Sequence, residues 1–248
     1  MEETKEKMGF GAWLTTHSVS SPIQAWSQQV YFGCKEFIRQ PLAMFGFIVI
    51  ALLLAIALAA PLLAPYDPLH QDLADRLLPP GGDHLLGTDE LGRDLWTRLI
   101  YGARVSLAVG LLSPVIGFFL GGILGCLAGY FRGRLEVVIV AAMDVILAFP
   151  GIVLLLAITF YLGPSLRNLV FALGFLTIPA FSRVARAKTL TLRDLEFVQA
   201  ARLTGAGNLS ILIHEIIPNV IAPMTAYVLL VVSFMIMAEG ALSFLGLG

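Results

Sequence analysis

Cysteine occurs only twice in the 248 residues, at Cys34 in a polar stretch and at Cys126 in an apolar run. With that separation and no CxxC pair, neither a disulfide framework nor a thiolate metal site is indicated. Histidine is sparse as well: His17, His70, His84 and His214 show no metal-ligand spacing such as HExxH. Charged residues make up only 13% and sum to a net −1, so no basic excess points to nucleic acid. No GxxxxGK[ST] loop is present to cradle a nucleotide phosphate. The charges at Glu2, Glu3, Lys5, Glu6 and Lys7 are followed by no apolar core with a small-residue cleavage site. That argues against a cleavable signal and makes residues 1–40 a cytosolic leader.

What the sequence has in abundance is apolar surface. Hydrophobic residues make up 58% of it, and its mean hydropathy is +0.85, far above a chain with a solvated surface. A bilayer core of about 30 Å needs about 20 mainly apolar residues as a helix. Five such runs occur, near 41–64, 105–130, 137–162, 168–185 and 220–245. They are too long and continuous for the alternating strands of a membrane barrel, so the fold class is an all-α polytopic membrane protein.

Lysine and arginine positions give the orientation. With residues 1–40 inside, the inner segments carry Lys5, Lys7, Lys35, Arg39, Arg132, Arg134, Arg183, Arg186, Lys188, Arg193 and Arg202. The outer ones carry Arg76, Arg93, Arg98, Arg104 and Arg167, with Asp89, Glu90 and Asp94 beside several of them. The first apolar run, 41–64, is the first span. Residues 65–103 form an external loop, broken by PYDP and LLPPGGD, and a helix lying at the membrane surface, where Trp96 and Tyr101 suit the interface. An ordinary solvated helix of a small external domain is the alternative.

Between the fourth and fifth runs lies a cytosolic insert, EFVQAARLTGAGNLSILIHEIIPN, running from Glu196 to Asn219. Helical spacing ends at Gly205 and Gly207, a second short helix follows over 209–217, and Pro218 suits the first turn of the next span. The result is a helix–glycine–helix knob with small residues at Ala200, Ala201 and Gly205. It either docks a partner closely or simply connects two spans as an interfacial hairpin.

The insert resembles the EAA loop of ABC importer permease subunits. Gln199, Ala200, Ala201, Gly205, Ile217 and Pro218 occupy that pattern's positions, with Gln199 in place of the first Glu and Glu196 nearby. HLLGTDELGRDLWTRLIYGARVSL, DVILAFPGI and EGALSFLGLG are similar to the C-type permeases of the dipeptide, oligopeptide and nickel importer group. The resemblance implies a type I ABC importer transmembrane core over 104–248, with its coupling loop at 186–219. Glu196, Gln199, Ala200, Ala201, Gly205 and Pro218 would face the ATPase. It implies six spans, so a sixth is expected after Gly248. It also implies a second homologous permease, two ATP-binding subunits and an external solute-binding protein as partners, besides membrane lipid. The chain would bind no cofactor, with ATP and Mg held by the partners.

Two carboxylates fall within the apolar runs. Asp144 faces protein or water rather than lipid, either at the permeation path and its gate or paired with an arginine such as Arg183 or Arg186. Glu239 near an outer end is either a cation or peptide-amine site, or an interfacial carboxylate that is simply solvated or caps a helix break. An intramembrane enzyme would need a nucleophile with a base at one depth, and Asp144 and Glu239 fall nearer opposite faces. A self-contained carrier would show inverted repeats and has no use for the knob. The function that the resemblance implies is a permease subunit of an ATP-driven importer for di- or oligopeptides, the alternative cargo being nickel or another metal chelate.

Overall fold

The computed structural model describes residues 31–33, 35–163 and 165–244. Most of the expected leader and the last four residues of the terminal EGALSFLGLG lie outside them. The chain divides into two compact units, Met1–Leu63 and Ala64–Gly248. Among the described residues every extended element is helical, and the β pairing is limited to two isolated bridges.

In the first unit, α1 runs over Pro41–Leu58 and the short α2 over Ala60–Leu63. Pro41 opens α1 where a missing N–H costs least. Leu42, Phe45, Leu58 and Leu62 are all largely exposed, which is the all-round apolar surface of a helix built to sit in lipid.

The second unit opens with a polar loop whose centre is Asp89. Its carboxylate accepts from the Leu91 N–H at 2.8 Å, the Arg93 N–H at 3.0 Å and Arg93 Nε at 2.8 Å, and it also pairs with Arg98. Burial alone would raise this carboxyl, but those donors outweigh it and hold its pKa at about 2. Thr88 Oγ1 accepts from the Leu78 N–H and donates to the Asp75 carbonyl, stitching the loop to itself. Asp94 then caps the next helix through the Thr97 N–H at 2.8 Å, while its other oxygen meets His84 Nδ1 at 3.0 Å.

From that cap, α3 (Leu95–Ile116), a π turn (Gly117–Gly121) and α4 (Gly122–Phe131) form one 37-residue helix. The surface helix expected before the second span is thus the first part of the span's own helix, about 55 Å long at 1.5 Å per residue. Pro114 does not end it. A π turn follows this proline, where the Gly122 N–H is shared between the carbonyls of Phe118 and Phe119.

The third run is a sharply bent helix pair rather than one straight helix. α5 (Gly133–Leu147) and α6 (Gly151–Leu162) meet at 85°. The Ala148 N–H closes the last turn of α5 on the Asp144 carbonyl; Pro150 then pushes Phe149 out of helical geometry and caps α6 by accepting from the Leu154 N–H.

α7 (Leu166–Leu192) is longer than its apolar run and carries Pro179 inside it. It packs against the glycine-lined side of the Leu95–Phe131 helix. A Cβ on Gly125 would lie 2.7 Å from the Ala185 Cβ and 2.9 Å from the Arg186 nitrogen, so only glycine admits this backbone approach. Phe181 is fully buried and stacks edge-on with Phe118 and with Tyr227, at 6.1 and 5.2 Å between ring centroids. That cluster joins α7 to the π turn and to the last helix.

The insert contains α8 (Glu196–Leu203) and α9 (Asn208–Ile211). A second π turn (Leu212–Ile216) and α10 (Ile217–Phe244) follow without interruption. The separate second helix ending before Pro218 is therefore corrected: Asn208–Phe244 is one 37-residue helix. The π turn accommodates Pro218, with the Ile217 N–H reaching back five residues to the Leu212 carbonyl and Asn219 Nδ2 donating to the Glu215 carbonyl at 2.7 Å. Among the described residues four helices are long and apolar enough to cross a membrane, and five if the bent pair is one span.

Candidate functional site

α7 ends at Leu192, and a tight bend carries the chain into α8 at Glu196. α8 keeps its place because Val198 is fully buried among Leu192, Ile211, Leu212 and Ile216, with Ala201 and Ala206 against the same cluster. At its other end the chain turns through a complete Schellman motif. The Ala206 N–H bonds to the Ala201 carbonyl and the Gly205 N–H to the Arg202 carbonyl, both at 3.0 Å, with Gly205 at φ +86°. A Cβ at Gly205 would meet nothing within 4 Å, so the glycine is required here by its backbone conformation and not by crowding within this chain.

The opposite face of α8 is open. Glu196, Gln199, Ala200 and Leu203 recur at i, i+3, i+4 and i+7, and all are exposed. Leu203 is 89% exposed, an apolar side chain at the tip of a polar helix. The sequence reading omitted it, although its apolar character out of phase with Val198 is the signal that identifies it. Gln199 donates through Nε2 to the Asp194 carbonyl at 3.0 Å. A glutamate there has no proton to donate at neutral pH, so the departure from the Glu-Ala-Ala pattern has a local structural use. Glu196, Gln199, Ala200, Ala201 and Gly205 thus belong to one knob. Pro218 does not: it lies beyond the π turn, in the last helix.

Behind the knob stands Tyr130, which the sequence reading did not single out. Only 4% exposed, it donates its hydroxyl hydrogen to Asn208 Oδ1 at 3.1 Å, and its ring lies 5.7 Å beneath the Arg202 guanidinium carbon. Its backbone carbonyl accepts from Arg193 Nη1 at 3.2 Å.

The two span carboxylates have separate partners. Asp144 on α5 pairs with Arg183 on α7 at 2.9 Å, with more than half of each side chain exposed. Next to them Arg186 Nε donates to Glu136 at 2.9 Å, and Arg132 approaches the same carboxylate at 3.6 Å. Glu239 is 5% exposed and accepts from the Ser106 hydroxyl at 2.6 Å, so it joins α10 to α3. The helix continues through it, which removes the reading of a solvated carboxylate at a helix break.

Comparison with known proteins places the chain in a family. Residues 121–248 match the binding-protein-dependent transport system inner membrane component, and residues 33–80 match the N-terminal transmembrane domain of oligopeptide transport permease C. The chain belongs to the first of these families: it is an ABC importer permease subunit with a type I transmembrane fold and no ATPase site of its own. It is 43% identical over 220 residues to the di/tripeptide transport system permease protein DppC of Pseudomonas aeruginosa, covering 86% of this chain and 73% of the relative. The dipeptide permease DppC of Alkalihalophilus pseudofirmus is 39% identical over 214 residues, with 86% and 70% covered. The glutathione permease GsiD of Pectobacterium atrosepticum is 39% identical over 215 residues, with 86% and 71% covered.

Proposed function

We propose that this chain is the membrane subunit through which short peptides cross the cytoplasmic membrane, driven by separate ATP-hydrolysing subunits that engage the exposed face of α8. The observation that carries the coupling is the knob itself. A helix is fixed from behind by Val198 and ended by a Schellman turn, and it presents Glu196, Gln199, Ala200 and a bare Leu203 to the outside. An exposed apolar tip beside small residues is what a close-fitting partner covers. The acidic Glu196 in the first turn complements the helix dipole and leaves a charge for that partner to read. ATP and Mg stay on the partners. Closure of two ATPases would move the knobs of this chain and of a second, similar permease, and shift the spans between two packings.

The peptide cargo is supported by the names of the relatives, whose cargoes are dipeptides, tripeptides and glutathione. The N-terminus is cytosolic in this reading, which puts α8 on the ATPase side, and an external binding protein delivers the solute. Asp144, held by Arg183, lines the inner part of the path, since a half-exposed ion pair on apolar helices faces water or protein rather than lipid. Glu239 holds α10 to α3 near the outer end.

Expressing the tagged chain with its neighbouring subunits tests this reading. An ATPase subunit should co-purify, and vesicles holding the complex should take up a labelled dipeptide only with ATP. Purification without any ATPase, or ATP-independent uptake, would contradict it.

A further inference from the structure

Three segments around the knob converge on one residue. Arg193 precedes α8, Arg202 lies in its last turn, and Asn208 opens the helix after the glycine corner. All three touch Tyr130, through its carbonyl, its ring and its hydroxyl respectively. Tyr130 itself belongs to none of these segments. It sits one residue from the end of α4, at the inner end of the Leu95–Phe131 helix, where Arg132 at φ +56° breaks the helix.

The location decides what these contacts do. Carbonyls in the last turn of a helix have no partner within it, so Arg193 satisfies one of them with a cation at the negative end of the dipole. Arg202 over the aromatic face adds a cation–π contact. The hydroxyl bond fixes the far side of the corner. The chain itself connects α8 only to α7 and to the Asn208–Phe244 helix, in each case through a few non-helical residues. Without Tyr130, displacement of α8 would reach those two helices and leave the Leu95–Phe131 helix to follow by packing alone.

We propose that Tyr130 is a positioning residue that clamps both flanks of α8 to the Leu95–Phe131 helix and makes that helix a third lever of the transport stroke. This rests on the reading of α8 as the ATPase-facing element. The clamp is a mechanical link, so its loss should lower the work obtained per ATP rather than the amount of complex.

The test uses the whole complex in proteoliposomes, reading labelled dipeptide taken up per ATP hydrolysed. Tyr130→Phe keeps the ring and the carbonyl and removes only the bond to Asn208. Uptake per ATP should fall by about two- to tenfold, the range that one hydrogen bond of ordinary strength spans. The yield of assembled complex should be unchanged, which a purely structural role would not predict. Asn208→Ala should show the same loss, and the double variant should be no worse than either single one, because both remove one bond. An unchanged ratio in Tyr130→Phe, or additive losses in the double variant, would overturn the proposal. If Tyr130→Phe does not assemble, Asn208→Ala reads the same bond, and a normal ratio there overturns it equally. Gly205→Arg separates the two readings. If it loses uptake while Tyr130→Phe keeps a normal ratio, only the clamp fails; if it keeps full uptake, the docking reading fails and the clamp with it.

Discussion

Asp144 and Arg183, 39 residues apart in sequence, meet at 2.9 Å across α5 and α7. Both are more than half exposed, so in water the pair would contribute at most about 1 kcal/mol. On helices otherwise clothed in apolar side chains its value lies elsewhere, in keeping an arginine neutralised where water or another subunit reaches it. Asp144→Asn should leave the complex assembled, since the glycine-packed contact of α4 with α7 and the Glu136–Arg186 pair remain, and it should lower dipeptide uptake severalfold. Size-exclusion profiles and uptake measured on one preparation check this. Loss of assembly would assign the pair a purely structural role.

The approach of α4 to α7 leaves no room at Gly125. Gly125→Ala would set a methyl against the Ala185 Cβ and the backbone of Arg186, neither of which can swing aside. The expected cost is about 1 to 3 kcal/mol, the usual range for overpacking. It should appear as a lower melting temperature in detergent. Gly102→Ala is the control: nothing lies within 4 Å of the added methyl, and its α3 position gains helix propensity.

The polar loop around Asp89 should depend on acid. Asp89 has a folded pKa of about 2, below that of a free carboxylate. Its stabilisation is therefore fully present above about pH 4 and is lost as pH falls towards 2. Cleavage between Leu77 and Arg93 by an acid-active protease, corrected at each pH for its rate on an unfolded substrate, should be slow at pH 4 and rise as the pH is taken to 2. Asp89→Asn, which cannot hold both arginines as ion pairs, should be cleaved readily already at pH 4.

Much of this architecture was legible in the sequence because hydrophobic runs and cationic loops are local. The five runs, the polar loop after the first of them and the insert with its glycine corner all appear in the structure. Continuity through Pro218 was not legible, because a proline removes a backbone donor and disfavours the preceding turn, and packing decides whether the helix bends past it or stops. The 85° bend at Pro150 falls within the DVILAFPGI stretch, but nothing local to that stretch fixes the angle. The contacts that define the site were hidden by distance along the chain: Tyr130 meets Arg193 and Asn208 63 and 78 residues away, and Glu239 finds Ser106 across 133.

The most direct test of the central claim, that α8 receives force from an ATPase, is Gly205→Arg beside Gly205→Asn. Asparagine tolerates the positive φ and stays small, and a side chain at this corner points into space that this chain leaves empty. Gly205→Asn should retain most ATP-driven dipeptide uptake. Gly205→Arg should reach the membrane at normal levels, fail to co-purify the ATPase and lose uptake. Normal uptake and co-purification in Gly205→Arg would contradict the account.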